Sequence, residues 1–208
     1  MGGLVIGFAI WGAVPRSAAQ QAITPTAKEL NKAFDADTSQ WTARFEHEGR
    51  AIYDKRYEIL DAMHLKPGMN AAEVGAGSGL FARLMAQRVA PGGTVYAVDI
   101  SKNMIDYITK MATQEKIVNL KAVLGDPHSP RLEPHSQDLV CIIDSYHHFE
   151  FPQDMLREIG TALRPDGCRL RSYPAESSRL LYTYRQCEPE PHPNKIPPPS
   201  AWGACRWS

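Results

Sequence analysis

Apolar and polar positions alternate along this chain with two different periods, and the switching between them is the first thing the sequence shows. Between residues 42 and 64, Phe45, Ile52, Tyr53, Tyr57, Leu60 and Met63 recur at helical spacing, while Arg44, Glu46, Glu48, Asp54, Lys55 and Glu58 occupy the other face. This predicts one amphipathic helix, stopped by Lys66-Pro67-Gly68. A shorter helix is predicted over 26–34.

From residue 70 the periods alternate regularly. Asn70–Val74 reads as a short buried strand and Leu80–Val89 as a helix. Thr94–Val98 reads as a strand, and Ser101 is placed to cap a helix carrying Met104, Ile105, Ile108, Met111 and Ala112 inward. Leu120–Leu124 is a third strand. Leu139–Ile143 is a fourth, a continuous apolar run suited to a sheet covered on both faces. Pro152 opens another helix, with Met155, Leu156, Ile159, Ala162 and Leu163 inward, and after the turn Arg164-Pro165-Asp166-Gly167 the fifth strand is expected at Cys168–Tyr173. Such alternation implies a parallel sheet with right-handed crossovers.

The two ends of the chain read differently. The first fifteen residues carry no charge, and Leu4–Val14 is apolar or glycine, too short for a stable membrane span. Followed by Ser17-Ala18-Ala19, it has the length and the small-residue ending of a signal peptide, although no Lys or Arg precedes it. Residues 1–19 are therefore expected to be a signal peptide or a disordered leader, giving an exported or a cytoplasmic protein respectively. Seven prolines between Pro174 and Pro199 predict that residues 174–208 are an irregular tail.

Composition narrows the function classes. The 23 basic and 23 acidic side chains balance, which argues against a nucleic-acid binder that needs a basic field. Cys141, Cys168, Cys187 and Cys205 have no metal-ligand spacing, and Cys141, inside an apolar run, reads as a small buried hydrophobe.

The candidate chemistry lies in Glu73-Val74-Gly75-Ala76-Gly77-Ser78-Gly79, a glycine loop between a strand and a helix. Glycine serves where the backbone turns sharply or a ligand approaches closely, and the following helix start offers N–H groups. A dinucleotide loop would place its third glycine at residue 80; here that residue is Leu80 and the glycine is Gly79. Asp99 ends the second strand, where a carboxylate can accept from both hydroxyls of a ribose, and Asp126 and Asp144 follow the third and fourth strands. All of them fall at the carboxyl edge of the sheet, where ligands bind in doubly wound folds.

These segments, with Val98-Asp99-Ile100, Gly125-Asp126, Asp138–Asp144 and Leu163–Gly167, resemble the ordered motifs of class I S-adenosylmethionine-dependent methyltransferases over residues 42–170. Tyr146–Pro152 and the helix Phe45–Met63 are similar to the small bacterial branch related to the quinone-biosynthesis C-methyltransferases. The resemblance implies an α/β fold, Rossmann-like and doubly wound, with a mainly parallel sheet of about five strands in the order 3-2-1-4-5, a domain spanning 26–173, and S-adenosylmethionine as cofactor with a small-molecule methyl acceptor as partner. It also implies that Gly75, Gly77 and Gly79 pass the methionine part of the cofactor, with Glu73 near its ammonium. Asp99 would then hold the ribose, Ile100 the adenine face and Asp126 the adenine amino group, while Asp144 and Tyr146 face the sulfonium and the acceptor.

His147 and His148 suit a general base if the acceptor loses a proton, or else pack the loop and cap the next helix. Phe45, Tyr53 and Tyr57 read as core rather than a lid. After Gly167 the chain departs from the family: Arg169 and Arg171 stand in the fifth strand and no final strand pair is recognisable, as if this stretch were out of frame or replaced. A cofactor-binding domain without turnover is the alternative function, and a nicotinamide oxidoreductase, disfavoured by Leu80, the third.

Overall fold

The structure is a computed structural model that describes residues 26–32, 34 and 38–165 and the backbone of two strands at 168–173 and 181–186. The leader at 1–19 and the tail beyond 186 lie outside the described residues.

Four parallel strands form the centre: β1 (Ala71–Val74), β2 (Val95–Asp99), β3 (Leu120–Leu124) and β4 (Leu139–Ile143). Every residue of β1 and β4 is buried, which is why β4 reads as an unbroken apolar run and β1 is apolar apart from Glu73. Two apolar layers cover the sheet. On one side α4 (Arg56–Ala62), α5 (Leu80–Val89) and α6 (Lys102–Gln114) contribute Leu60, Met85, Val89 and Ile108. On the other, α7 (Pro152–Ala162) brings Met155 and Ile159 against Val74, Val140 and Ile142. Cys141 is a fully buried free thiol whose pKa burial pushes well up, so it behaves as a hydrophobe. Ser101 caps α6 by accepting from the Met104 N–H, as its position predicted.

The order 3-2-1-4 agrees with expectation, and the far edge differs. The backbone places β6 (Leu181–Gln186) antiparallel beside β4, with β5 (Cys168–Tyr173) antiparallel outside it, giving 3-2-1-4-6-5. Cys168–Tyr173 is thus not the neighbour of β4, and a strand pair is present where none was expected. β5 still runs parallel to the central strands after the α7 crossover, and β6 is inserted antiparallel between it and β4.

The N-terminal helix expected over 42–64 is also broken, into α2 (Thr38–Phe45), α3 (Ala51–Asp54) and α4, preceded by α1 (Ala27–Lys32). The break lies at Gly49, whose φ of +90° is left-handed and whose N–H donates to the Asp54 carboxylate. A second break at Lys55 separates α3 from α4, and Tyr57, predicted inward, is 52% exposed and lies under the Arg56 guanidinium. Among the described residues no helix is long and apolar enough to cross a membrane.

Candidate cofactor and transfer site

The carboxyl edge of the sheet opens into a cavity of about 650 Å³, within the usual size of small-molecule sites. Its floor is the glycine loop. The N–H groups of Gly75 and Ala76 donate to the Val98 carbonyl at the end of β2, which pulls the loop over the sheet edge. Gly75, Gly77 and Gly79 have φ of +76°, +54° and +73°. A Cβ on Gly75 would meet Ser145 at 2.5 Å, and one on Gly77 would meet the Phe45 ring at 3.2 Å. Space and dihedral together require glycine at Gly75, and the left-handed dihedral favours it at Gly77 and Gly79.

Asp99 and the loop are bonded together. One carboxylate oxygen accepts from the Gly77 N–H at 2.8 Å and the other from the Ser101 N–H at 2.9 Å. These two bonds fix the rotamer of a group that offers about four acceptor sites in all. Ile100, beside it, is 39% exposed and also lines the cavity. Asp126 lines the same wall. Its carboxylate accepts from the backbone of His128 and Ser129 and from Arg131 Nε, and the His128 N–H, then Arg131 and the Ser129 N–H, hold its pKa below the ordinary range.

Glu73 reaches the cavity from β1 but is almost wholly buried. Its Oε2 accepts from the Ala82 N–H at 2.8 Å, pinning the start of α5. Burial raises its pKa to about 8, against the opposing pull of that N–H, and nearby Asp99 adds to the rise. At neutral pH its carboxyl is mostly protonated.

At the end of β4, Asp144 has φ +52° and forms a 2.7 Å ion pair with Arg50. Arg50 also donates to the Phe45 carbonyl and lies over the Phe45 ring, so one side chain joins α2 to the sheet edge. The following residues form a single 3-10 turn, Tyr146–His148. This turn separates the neighbours. His147 is exposed at the cavity wall, and His148 lines the cavity while hydrogen-bonded to Asn31. Burial, then His147, lowers the His148 pKa to about 4. Tyr146, expected to face the acceptor, is not among the lining residues. The turn directs it to the second apolar layer, where it packs on Phe149 at 5.6 Å between ring centroids.

Sequence reasoning did not foresee the roof. Phe34, Trp41 and Phe45 form a mutually packed aromatic group over the cavity, with centroids 4.7 to 6.1 Å apart, and Phe45, read as core, touches the glycine loop. Asn31 and Arg50 tie this roof down. Their partners lie 117 and 94 residues away in sequence, and no local pattern marks them.

Comparison with known proteins agrees with the fold and the motif. Residues 72–170 match the family described as "Methyltransferase domain". The nocamycin O-methyltransferase of Saccharothrix syringae is 31% identical over 109 residues, which is 52% of this chain and 39% of that protein. A demethylmenaquinone methyltransferase of a Geobacillus species is 24% identical over 112 residues, covering 54% of this chain and 48% of that protein. The matched region thus spans about half or less of these curated relatives. Among solved structures, a SAM-dependent methyltransferase from Aquifex aeolicus superposes with a TM-score of 0.60 at 17% identity, over 71% of this chain and 96% of that one. The [4+2]-cyclase SpnF superposes at 0.57 with 17% identity, over 76% and 67%. At such identities the structural likeness shows the fold. Residues 72–170 are thus similar to the methyltransferase domain family, and the chain shares its fold with a SAM-dependent methyltransferase of known structure.

Proposed function

We propose that this protein transfers the methyl group of S-adenosylmethionine to a small-molecule acceptor. The observation that carries the reading is the floor of the cavity, where Gly75 admits no Cβ, Gly77 has left-handed φ, and Asp99 is locked against the Gly77 N–H. A ligand laid along this floor meets backbone N–H groups and a fixed carboxylate together, which suits an amino acid joined to a nucleoside. In this reading the three glycines pass the methionine part, Asp99 takes the ribose hydroxyls, and Ile100 and the Asp126 loop border the adenine. Glu73 acts by holding the loop and helix start rather than as a formal anion.

The bound cofactor would supply an electrophilic methyl group. The chain supplies alignment and exclusion of water, which in well-oriented reactions are worth several kcal/mol. The aromatic roof supports exclusion, and the Arg50–Asp144 pair leaves no net charge at the end of β4. His147, exposed at the wall, is the candidate base where the acceptor must lose a proton.

A fold does not fix a reaction, as the shared fold of a cyclase illustrates. The competing reading, cofactor binding without turnover, is therefore decided by transfer of a labelled methyl group from S-adenosylmethionine into a small-molecule extract. Label in a small product supports the proposal, and binding without transfer supports the competitor. The apolar stretch Leu4–Val14 and the Ser17-Ala18-Ala19 ending support a cleaved export leader, checked by sequencing the mature N-terminus.

A further inference from the structure

Asn31 makes two hydrogen bonds to one residue. Its Nδ2 donates to the His148 carbonyl at 3.0 Å, and its Oδ1 lies 3.1 Å from His148 Nδ1. A carbonyl oxygen can only accept, so the amide nitrogen of Asn31 must face it, and the amide oxygen must then face the ring. The ring nitrogen opposite an amide oxygen must carry the hydrogen. His148 is thereby held with Nδ1 protonated and Nε2 bearing the lone pair.

The same clamp also ties α1 down. The helix α1, which carries Asn31, has no buried residue, and its hold on the domain is at the Tyr146–His148 turn. The Phe34 ring stands edge-on to the His148 ring at 5.1 Å and restricts its rotation. His148 itself lines the cavity beside Asp144 and His147.

From this geometry we infer that Asn31 is a positioning residue that fixes the tautomer of His148, so that Nε2 serves as a hydrogen-bond acceptor selecting methyl acceptors that bring an O–H or N–H group. The inference rests on the reading of the cavity as a methyl-transfer site and adds to it the chemical class of the acceptor. A lone pair fixed at the wall favours a proton-bearing nucleophile and leaves an ether of the same shape with nothing to donate. The two titratable neighbours acting on the ring oppose each other: His147 disfavours a second proton and Asp144 favours it, with burial deciding for the neutral ring.

The test is nitrogen NMR on the full chain labelled at histidine, with the His148 signals assigned by their loss in His148→Gln. The wild type is expected to show a protonated Nδ1 and an unprotonated Nε2 at neutral pH. Asn31→Ala is expected to relax to the Nε2–H form that the free histidine side chain prefers. In the wild type saturated with S-adenosylhomocysteine, phenol is expected to shift the Nε2 resonance and anisole to leave it in place. An Nε2–H ring in the wild type overturns the inference, and so does an unchanged tautomer in Asn31→Ala. An equal or absent response to phenol and anisole overturns the acceptor class. Absence of any heat with S-adenosylhomocysteine would instead sink the methyl-transfer reading and leave the tautomer result standing.

Discussion

Arg50 and Asp144, 94 residues apart in sequence, form a 2.7 Å ion pair that joins the N-terminal helices to the sheet edge beside the cavity. The Asp144 side chain is only 8% exposed and that of Arg50 20%, so neither charge is well solvated. Removing one partner leaves the other in a poorly hydrated place, which costs more than the pair contributes net. Arg50→Ala is expected to destabilise the domain by about 1–3 kcal/mol in urea unfolding. The double variant with Asp144→Ala should be less destabilised than the sum of the singles. Additive effects would show that the pair is not coupled.

The glycines make a sharper contrast. Gly49 and Gly75 both have left-handed φ, +90° and +76°. A Cβ on Gly49 would meet nothing within 4 Å, whereas one on Gly75 would strike Ser145 at 2.5 Å. Gly49→Ala should therefore cost only the dihedral strain, about 1–2 kcal/mol. Gly75→Ala adds a clash at the cavity floor and should abolish measurable S-adenosylhomocysteine binding. Equal stability losses in thermal melts, with binding retained in both, would contradict the steric argument.

Asp99→Ala removes the acceptor for two backbone N–H groups, one of them on the glycine loop. Hydrogen bonds to a charged group contribute roughly 1.5–3 kcal/mol each, so affinity for S-adenosylhomocysteine should fall by about tenfold or more. Calorimetry with unchanged affinity would remove Asp99 from the site.

Glu73 sets a pH dependence. Its pKa rises from an ordinary 4.5 to about 8 on folding, chiefly through burial, so between these values the folded state binds more protons than the unfolded one. The contribution is fully present below pH 4.5 and is lost as pH rises through 8. Glu73→Gln keeps an acceptor for the Ala82 N–H and cannot ionise. Its Tm relative to wild type should climb from pH 5 to pH 9, and parallel Tm curves would exclude this role.

The central strands were legible because β4 is buried on both faces and is written as an apolar run, and β1 departs from one only at Glu73. The glycine loop was legible because left-handed φ leaves glycine little competition. Phe45 was misread as core because helical spacing marks an apolar face without saying whether it meets a sheet or a cavity. Tyr146 packs on Phe149, a contact across the 3-10 turn that apolar spacing does not mark. The Asn31–His148 and Arg50–Asp144 pairings are tertiary choices, and so is the insertion of β6 beside β4. None of these leaves a local periodic signal.

Isothermal calorimetry of the purified protein with S-adenosylhomocysteine, run beside NAD, tests the central claim most directly. The glycine spacing, Asp99 and the roofed cavity together predict saturable one-to-one binding of S-adenosylhomocysteine and no heat with NAD. Binding of NAD alone, or of neither, would contradict it.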